Sequence, residues 1–454
     1  MLTRRLIAAF LLVAIGIGGC VTAPERDLAR LELAQSERHN QVPVIIVPGL
    51  MGSRLMHRDT GVEAWPGSAK QLFTSGYHEL ALRIDPATLE PKDDGLVASG
   101  LFDGVVGLDF YGKVVAALQQ FGGYRRGTPG EAVPNHEARF YPFPYDWRQD
   151  NVRTAQALDA LIEQIRRDYG DPVLRVDVIA HSMGGLVVRY YERYGAVDVL
   201  DGNAFPITGA GAQKLRRVVL LGTPNQGSVS AIHYFLNGYR VGLSRMPNEG
   251  IATMPSTYEL FPHPLVTWVT TTRGEPLKRD LFDPDVWRRL GWSVYDRKVQ
   301  RRIAKDPESW PAPEAFQRYF EKNLGRARRF IWSLMAPAGD VELIEPLLLG
   351  GDCLPTPARL VLEEVDGDLV PRLIPEQILK PVPGINYDKL MYESGDGSVT
   401  KSSLLGRQEM DPAIAMQDHG NIEFNQSFFV CEEHGKLTGN IHFLDNLLNY
   451  LLAD

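Results

Sequence analysis

The chain has 454 residues, enough for one large domain with insertions or for two domains. Hydrophobic residues at 44% and charged residues at 23% are ordinary for a globular protein and exclude a disordered or low-complexity chain. A formal net charge of −8 argues against nucleic acid as a partner and gives no general attraction to an anionic membrane.

Taken in order, Met1-Leu-Thr-Arg-Arg5 is a short positive segment and Leu6 to Gly19 is apolar. That stretch is too short to span a bilayer comfortably and has the form of a signal-peptide core, so residues 1–19 read as a removable signal. It ends Ile17-Gly-Gly-Cys20, which resembles the signal of bacterial lipoproteins, where the cysteine is lipidated and becomes the new N-terminus. The alternative is an uncleaved anchor with an incidental cysteine. Residues 20–40, with Pro24 and the polar run that follows, read as a tether. Acyl chains on Cys20 would hold the protein on a membrane of the bacterial envelope, facing the periplasm, at about 0.8 kcal/mol per buried methylene.

Val42-Pro-Val-Ile-Ile-Val-Pro-Gly-Leu-Met-Gly-Ser53 predicts a buried strand followed by a glycine-rich turn. Ala64 to Asp109 is turn-rich with few clean periods. Asp109 to Phe121 is amphipathic and predicts a helix. Arg139-Phe-Tyr-Pro-Phe-Pro-Tyr-Asp-Trp-Arg148 predicts a short strand leaving into a loop. Thr154 to Tyr169 predicts a helix that stops at Gly170-Asp-Pro172. Arg175-Val-Asp-Val-Ile-Ala-His-Ser-Met-Gly-Gly-Leu-Val-Val-Arg189 reads as a strand, a tight turn among small residues and a helix. Leu215 to Gly222 predicts the next buried strand, running into Thr223-Pro-Asn-Gln-Gly-Ser228.

Strands alternating with helices imply right-handed crossovers and a mostly parallel sheet covered on both faces. The loops after Val47, Ala180 and Gly222 would then meet at one edge, where such sheets build their sites. From 229 to 346 the pattern changes to aromatic-rich helices and turns without strong strands. This segment reads as a cap inserted into a core made of 41–228 and 347–454, a separate accessory domain being the alternative. The basic runs Arg297-Lys-Val-Gln-Arg-Arg302 and Arg326-Ala-Arg-Arg329 read as solvated helix faces. Leu347 to Glu364 resumes strand character, Ile385 to Val399 runs from strand to turn, Gln426 to Cys431 is the last strand, and Asn440 to Leu452 is the last helix with Asn440 as N-cap.

The turn at Ser182 has the form of a nucleophile elbow, which lifts a serine hydroxyl above the sheet and aims a helix N-terminus at it. A serine hydroxyl needs a base within hydrogen-bond reach, and the base needs an orienting acid. In α/β-hydrolases these follow in the order Ser, acid, His. Asp396 sits in the turn Gly395-Asp-Gly397 and is the candidate acid, with Asp366, Asp368 and Asp388 as competitors. His434 lies between the last strand and the last helix and is the candidate base. His419 precedes the strand, His442 lies inside the helix, and His181 reads as structural. The N–H groups of Met183 and Leu50 are the candidate oxyanion donors. Cys353 and Cys431 are left as a pair, either bonded to each other or as two buried thiols. No spacing suggests a metal site, and the glycine-rich loops lack the P-loop lysine and the dinucleotide fingerprint, so no cofactor is expected.

Five separated motifs then converge: Val47-Pro-Gly-Leu-Met-Gly-Ser53, Tyr141-Pro-Phe-Pro-Tyr-Asp-Trp-Arg148, Ala180-His-Ser-Met-Gly-Gly185, Leu221-Gly-Thr-Pro-Asn-Gln-Gly-Ser228 and Gly395-Asp-Gly-Ser-Val399. Together with His434 they resemble the lecithin:cholesterol acyltransferase family, in patches from about Val42 to Leu448. The resemblance implies an α/β-hydrolase fold, a Ser182/Asp396/His434 triad, an oxyanion hole at Leu50 and Met183, and acyl-ester substrates, often phospholipids, hydrolysed or transferred to an alcohol. Four features depart from the family pattern, one of them an extra excursion from Asp366 to Asn386. Ala180 replaces the first glycine of the elbow, no cysteine pair flanks Trp65, and no family motif aligns in the cap. The first expectation is therefore a serine-dependent lipid esterase or acyltransferase, and the aromatic-rich cap points toward long acyl chains. An esterase or lactonase of small soluble substrates and a catalytically silent binding scaffold are the alternatives. The sequence does not assign an oligomeric state.

Overall fold

A computed structural model of the chain describes residue 28 and residues 42–68, 76–103, 110–241, 243–407 and 422–452. The expected signal, Cys20, most of the tether, Asp109 and His419 lie outside the described residues. Among the described residues no helix is long and apolar enough to cross a membrane.

The architecture is a seven-stranded parallel sheet with helices on both faces, an α/β-hydrolase arrangement. Its strands are β1 (Val44–Val47), β2 (Arg125–Arg126), β3 (Arg139–Pro142), β4 (Val176–His181), β5 (Leu215–Leu221), β6 (Leu347–Gly351) and β7 (Gln426–Val430). They lie in the order β7-β6-β5-β4-β1-β3-β2. The chain therefore starts in the middle, runs to one edge, and returns past β1 to build the other side. β1 has β3 on one side and β4 on the other, with Val47 beside Ala180. That reversal opens a crevice at the carboxyl ends of β1 and β4.

The central strands are buried on both sides, so they read as mostly apolar runs, with Asp177 interrupting β4, rather than as alternating ones. Alternate residues still divide between two cores. Ile45, Val47, Val178, Ala180, Leu220 and Leu348 face one cluster, while Val44, Ile46, Ile179, Leu221 and Leu349 face the other. The second is closed by helix α1 (Gly112–Gln120) through Val114, Ala117 and Leu118. The first is closed by α2 (Asn151–Tyr169) and α3 (Met183–Tyr194). α2 begins three residues before the predicted start because Asp150 caps it, accepting from the Val152 N–H at 2.8 Å. It ends at Gly170, in the left-handed region as expected of a C-terminal cap.

Between 229 and 346 the structure has helices α4 (Val229–Asn237), α5 (Arg297–Lys305) and α6 (Pro313–Met335), with shorter helices between them. The aromatics of this segment pack largely against one another. The Trp287 ring lies 5.7 Å from Phe261 and 5.1 Å from Phe320. Their number therefore reflects a local core and carries no information on acyl-chain length. Residues Val269–Thr271 form a strand beside Leu360–Val365, which hairpins with Asp368–Arg372. The last helix, α7 (Ile441–Leu452), joins α1 in the second core, and Asn440 Oδ1 accepts from the His442 N–H at 2.9 Å.

One sheet was not legible in the sequence. Ser53–His57, Glu63–Trp65 and Leu96–Leu101 form a three-stranded antiparallel sheet, of which the last strand lies within the stretch from Ala64 to Asp109 that reads as turn-rich. Register shifts interrupt two of its pairings, and these break the period-two signal.

The segment Pro144 to Arg148 has a structural purpose that its composition does not announce: it pins the loop after β1. Tyr145 Oη donates to the Pro48 carbonyl at 2.7 Å, the Tyr145 N–H donates to Ser53 Oγ at 3.0 Å, and Trp147 Nε1 donates to the Ser53 carbonyl at 3.1 Å. Arg148 is fully buried between two carboxylates, Asp94 at 2.6 Å and Asp146 at 2.8 Å. Replacing Arg148 with alanine strands both carboxylates. The variant is expected to lose about 3–5 kcal/mol of stability, read as a fall in the denaturant midpoint; an unchanged midpoint would show that the ion cluster does not hold this loop.

Candidate active site

Ser182 follows β4 with φ 53° and ψ −125°, a backbone shape that a residue with a side chain rarely adopts. It survives because its surroundings leave room for nothing else. A Cβ on Gly49 would lie 2.6 Å from the Ser182 Cβ. A Cβ on Gly184 would lie 2.5 Å from the Pro48 carbonyl oxygen, and one on Gly185 2.0 Å from Thr223 Oγ1. The paired glycines let α3 begin hard against the ends of β1 and β5. The missing first glycine is harmless, since Ala180 is fully buried in the core of the sheet.

The geometry joins three distant side chains. Ser182 Oγ–H donates to His434 Nε2 at 2.9 Å, and His434 Nδ1–H donates to Asp396 Oδ2 at 2.7 Å. Asp396 is almost fully buried. Its Oδ1 accepts from the N–H groups of Val399 at 2.7 Å and Ser398 at 2.9 Å, and its carbonyl accepts from the His434 N–H at 2.9 Å. Burial alone would raise the Asp396 pKa, but the adjacent imidazole and these two amides outweigh it and hold the carboxyl below the ordinary range. For His434, burial alone would lower the pKa, yet the carboxylate prevails and raises it above the ordinary histidine value.

The competitors fall elsewhere. Asp366 and Asp368 sit exposed at the hairpin of 360–372, Asp388 is exposed in a short helix, and His442 is exposed on α7.

The acid does not arrive on a strand of the main sheet. It follows Tyr392–Gly395, which pairs antiparallel with Leu354–Pro357. A disulfide between Cys353 and Cys431 joins the chain just after β6 to the chain just after β7. It closes the segment carrying Asp396 and ends three residues before His434. The motif after β5 clamps the acid's turn. Ser228 Oγ donates to the Ser398 carbonyl at 2.5 Å, and Asn225 Nδ2 donates to the Leu404 carbonyl at 2.6 Å.

Leu50 lies in a tight turn closed by Gly52 N–H to the Gly49 carbonyl at 3.0 Å. Met183 is the first residue of α3. Among the described residues, neither amide makes a hydrogen bond, so both remain available as donors beside Ser182.

One residue that composition and motifs did not point to is Tyr111. Its hydroxyl accepts from the Gly49 N–H at 2.9 Å and donates to His181 Nδ1 at 2.9 Å. His181 Nε2–H in turn donates to the His434 carbonyl at 3.3 Å. Burial, then the nearby His434 charge, pushes the His181 pKa down to about 3, so the ring stays neutral and keeps this tautomer. A single chain of hydrogen bonds thus ties the loop after β1 to the backbone of the candidate base. Replacing Tyr111 with phenylalanine leaves the Gly49 N–H and the His181 Nδ1 without that partner. It is expected to cost about 1–3 kcal/mol in unfolding free energy and to reduce ester turnover as the loop loosens. A variant as stable and active as the parent would remove the relay from the account.

A Ser-His-Asp set of this kind, beside two free amides, can form and resolve an acyl-enzyme without a metal or organic cofactor. The profile of the lecithin:cholesterol acyltransferase family matches residues 109–335, half of the chain. The matched stretch includes Ser182 and Met183 and ends before Asp396 and His434. It also runs through most of 229–346. In structure the chain is similar to the protein in the crystal structure of the Tle4–Tli4 complex, at 15% identity and a TM-score of 0.53, covering 91% of this chain and 98% of that one. Bacillus licheniformis lipase BlEst2 in its mature form is a looser match, at 12% identity and a TM-score of 0.34, covering 92% and 94%, and carries no weight here. No curated protein matches in sequence.

Proposed function

The chain belongs to the lecithin:cholesterol acyltransferase family, and from that premise we propose that it is a serine-dependent hydrolase or acyltransferase of lipid acyl esters, phospholipids first among them. The observation that carries this reading is the unbroken line of hydrogen bonds from Ser182 through His434 to Asp396. Ser182 Oγ attacks the ester carbonyl while His434 Nε2 takes its proton. Asp396 holds the ring and balances the imidazolium. The N–H groups of Leu50 and Met183 meet the oxyanion, worth roughly 10²–10³ in kcat per donor in such sites. His434 then protonates the departing alcohol as the ester C–O bond breaks, leaving the acyl group on Ser182. Water or an acceptor alcohol, deprotonated by the same imidazole, attacks the acyl-enzyme and frees the serine.

The reading extends to location. Cys20 carries the lipid anchor and the enzyme faces the periplasm from a membrane of the bacterial envelope; a Cys20→Ser protein that stays in the membrane fraction would contradict this.

The function is tested by incubating the purified protein with phospholipid, with and without an added long-chain alcohol. Free fatty acid and lysolipid are expected without the alcohol, and a new ester in place of part of the fatty acid with it. Turnover confined to short soluble esters would overturn the lipid assignment.

A further inference from the structure

The basic run that begins at Arg297 is a solvated helix face, as its sequence reads, with Arg297, Lys298, Arg301 and Arg302 exposed. It lines a cleft of about 1300 Å³ between the start of α5, the residues just before it, and the strand Asp368–Arg372. In a chain of net charge −8, this cleft is strongly positive. Arg288 is neutralised by Asp285 and Glu321, and Arg372 by Glu363 at 2.6 Å. Arg279, Arg289, Arg297, Lys298 and Arg301 also line it, and among the described residues they make no ion pair. Among the described residues, two carboxylates, Asp296 and Asp368, line the same space.

Helix stability does not explain this placement. Arg297, Lys298 and Arg301 occupy the first turns of α5, where cations oppose the helix dipole.

We infer that this cleft is a binding site for a phosphate-bearing anion. A phosphate offers several acceptor oxygens and a charge that guanidinium groups recognise well. Leu236 and Asn237, at the end of α4, form part of the cleft wall. The same helix starts at Ser228, which holds the turn of Asp396. Eight residues at 1.5 Å each put that part of the wall about 12 Å along the helix from Ser228. The site is independent of the acyl-transfer reading and needs no turnover to be detected.

Both a lipid head group and a soluble phosphate ester offer this chemistry. Titration calorimetry on the full chain in detergent separates them, using inorganic pyrophosphate, dihexanoylphosphatidylglycerol and dihexanoylphosphatidylcholine. At about 1 kcal/mol per cation, the double variant Arg297→Gln/Arg301→Gln should bind the anions about 30-fold more weakly than the parent, and added salt should weaken the parent's binding. Both replaced residues are exposed, and unchanged hydrolysis of a short soluble ester verifies that the variant is folded. Charge-dependent binding of pyrophosphate assigns a general phosphate site, and binding of the anionic lipid alone assigns a head-group site; each supports the inference. Failure of the parent to bind either anion, or equal affinity in the folded double variant, overturns it.

Discussion

Ser182→Ala is expected to lower kcat by about 10³–10⁶ with the fold intact, by analogy with other triads in which the nucleophile was removed. The substitution is clean because it keeps the Cβ that packs against Gly49 and removes only Oγ. The hydrogen bonds of His434 to Asp396 and of Tyr111 to His181 do not involve that atom. The unfolding midpoint should therefore stay near the parent's while ester hydrolysis collapses. Oxyanion donors and substrate binding would leave a small residual rate. A purified Ser182→Ala protein that still turns over ester at the parental rate would end the acyl-enzyme account.

Asp396→Asn is the second large effect, about 10⁴ in kcat, because the amide no longer holds the imidazole in the required tautomer or balances its charge. It also makes a signed prediction about pH. His434 must be neutral to take the serine proton. Burial pulls its pKa down, but Asp396 outweighs burial and raises it above the ordinary value of about 6.5. In the parent, kcat/KM should fall as pH drops through that raised value, so the acid limb has its midpoint above about 6.5. Without the carboxylate only burial remains, so the residual activity of Asp396→Asn should have an acid limb below about 6.5. Measuring both pH profiles with one soluble ester checks the sign. An acid limb that does not move would mean that Asp396 is not what sets the charge state of His434.

The elements legible in the sequence were those whose local signal matches their environment. β1 is buried throughout and wholly apolar, and β4 and β5 carry buried apolar runs at 178–180 and 218–221. The elbow is legible because crowding at three positions demands glycine at 49, 184 and 185. Two expectations that the sequence left open are realised in geometry: Cys353 and Cys431 are bonded, and Asp396 rather than Asp366, Asp368 or Asp388 meets the imidazole.

What stayed illegible depends on contacts remote in the chain. Tyr111 acts through partners 62 and 70 residues away, and nothing in its own neighbourhood marks it. The bulged sheet of 53–57, 63–65 and 96–101 lost its alternation to register shifts. The run at Arg297 is the solvated face that its sequence suggests, but the cleft beside it is not legible there because the strand that forms the facing wall, Asp368–Arg372, comes about seventy residues later.

The central claim is that residue 182 carries the reactive hydroxyl and that His434 activates it. Labelling the parent protein with a serine-directed phosphonate, followed by mass-spectrometric mapping, tests both halves at once. The account predicts one adduct, on Ser182, that is lost when His434 is replaced by alanine. An adduct on another residue, or equal labelling in the His434→Ala protein, would contradict it.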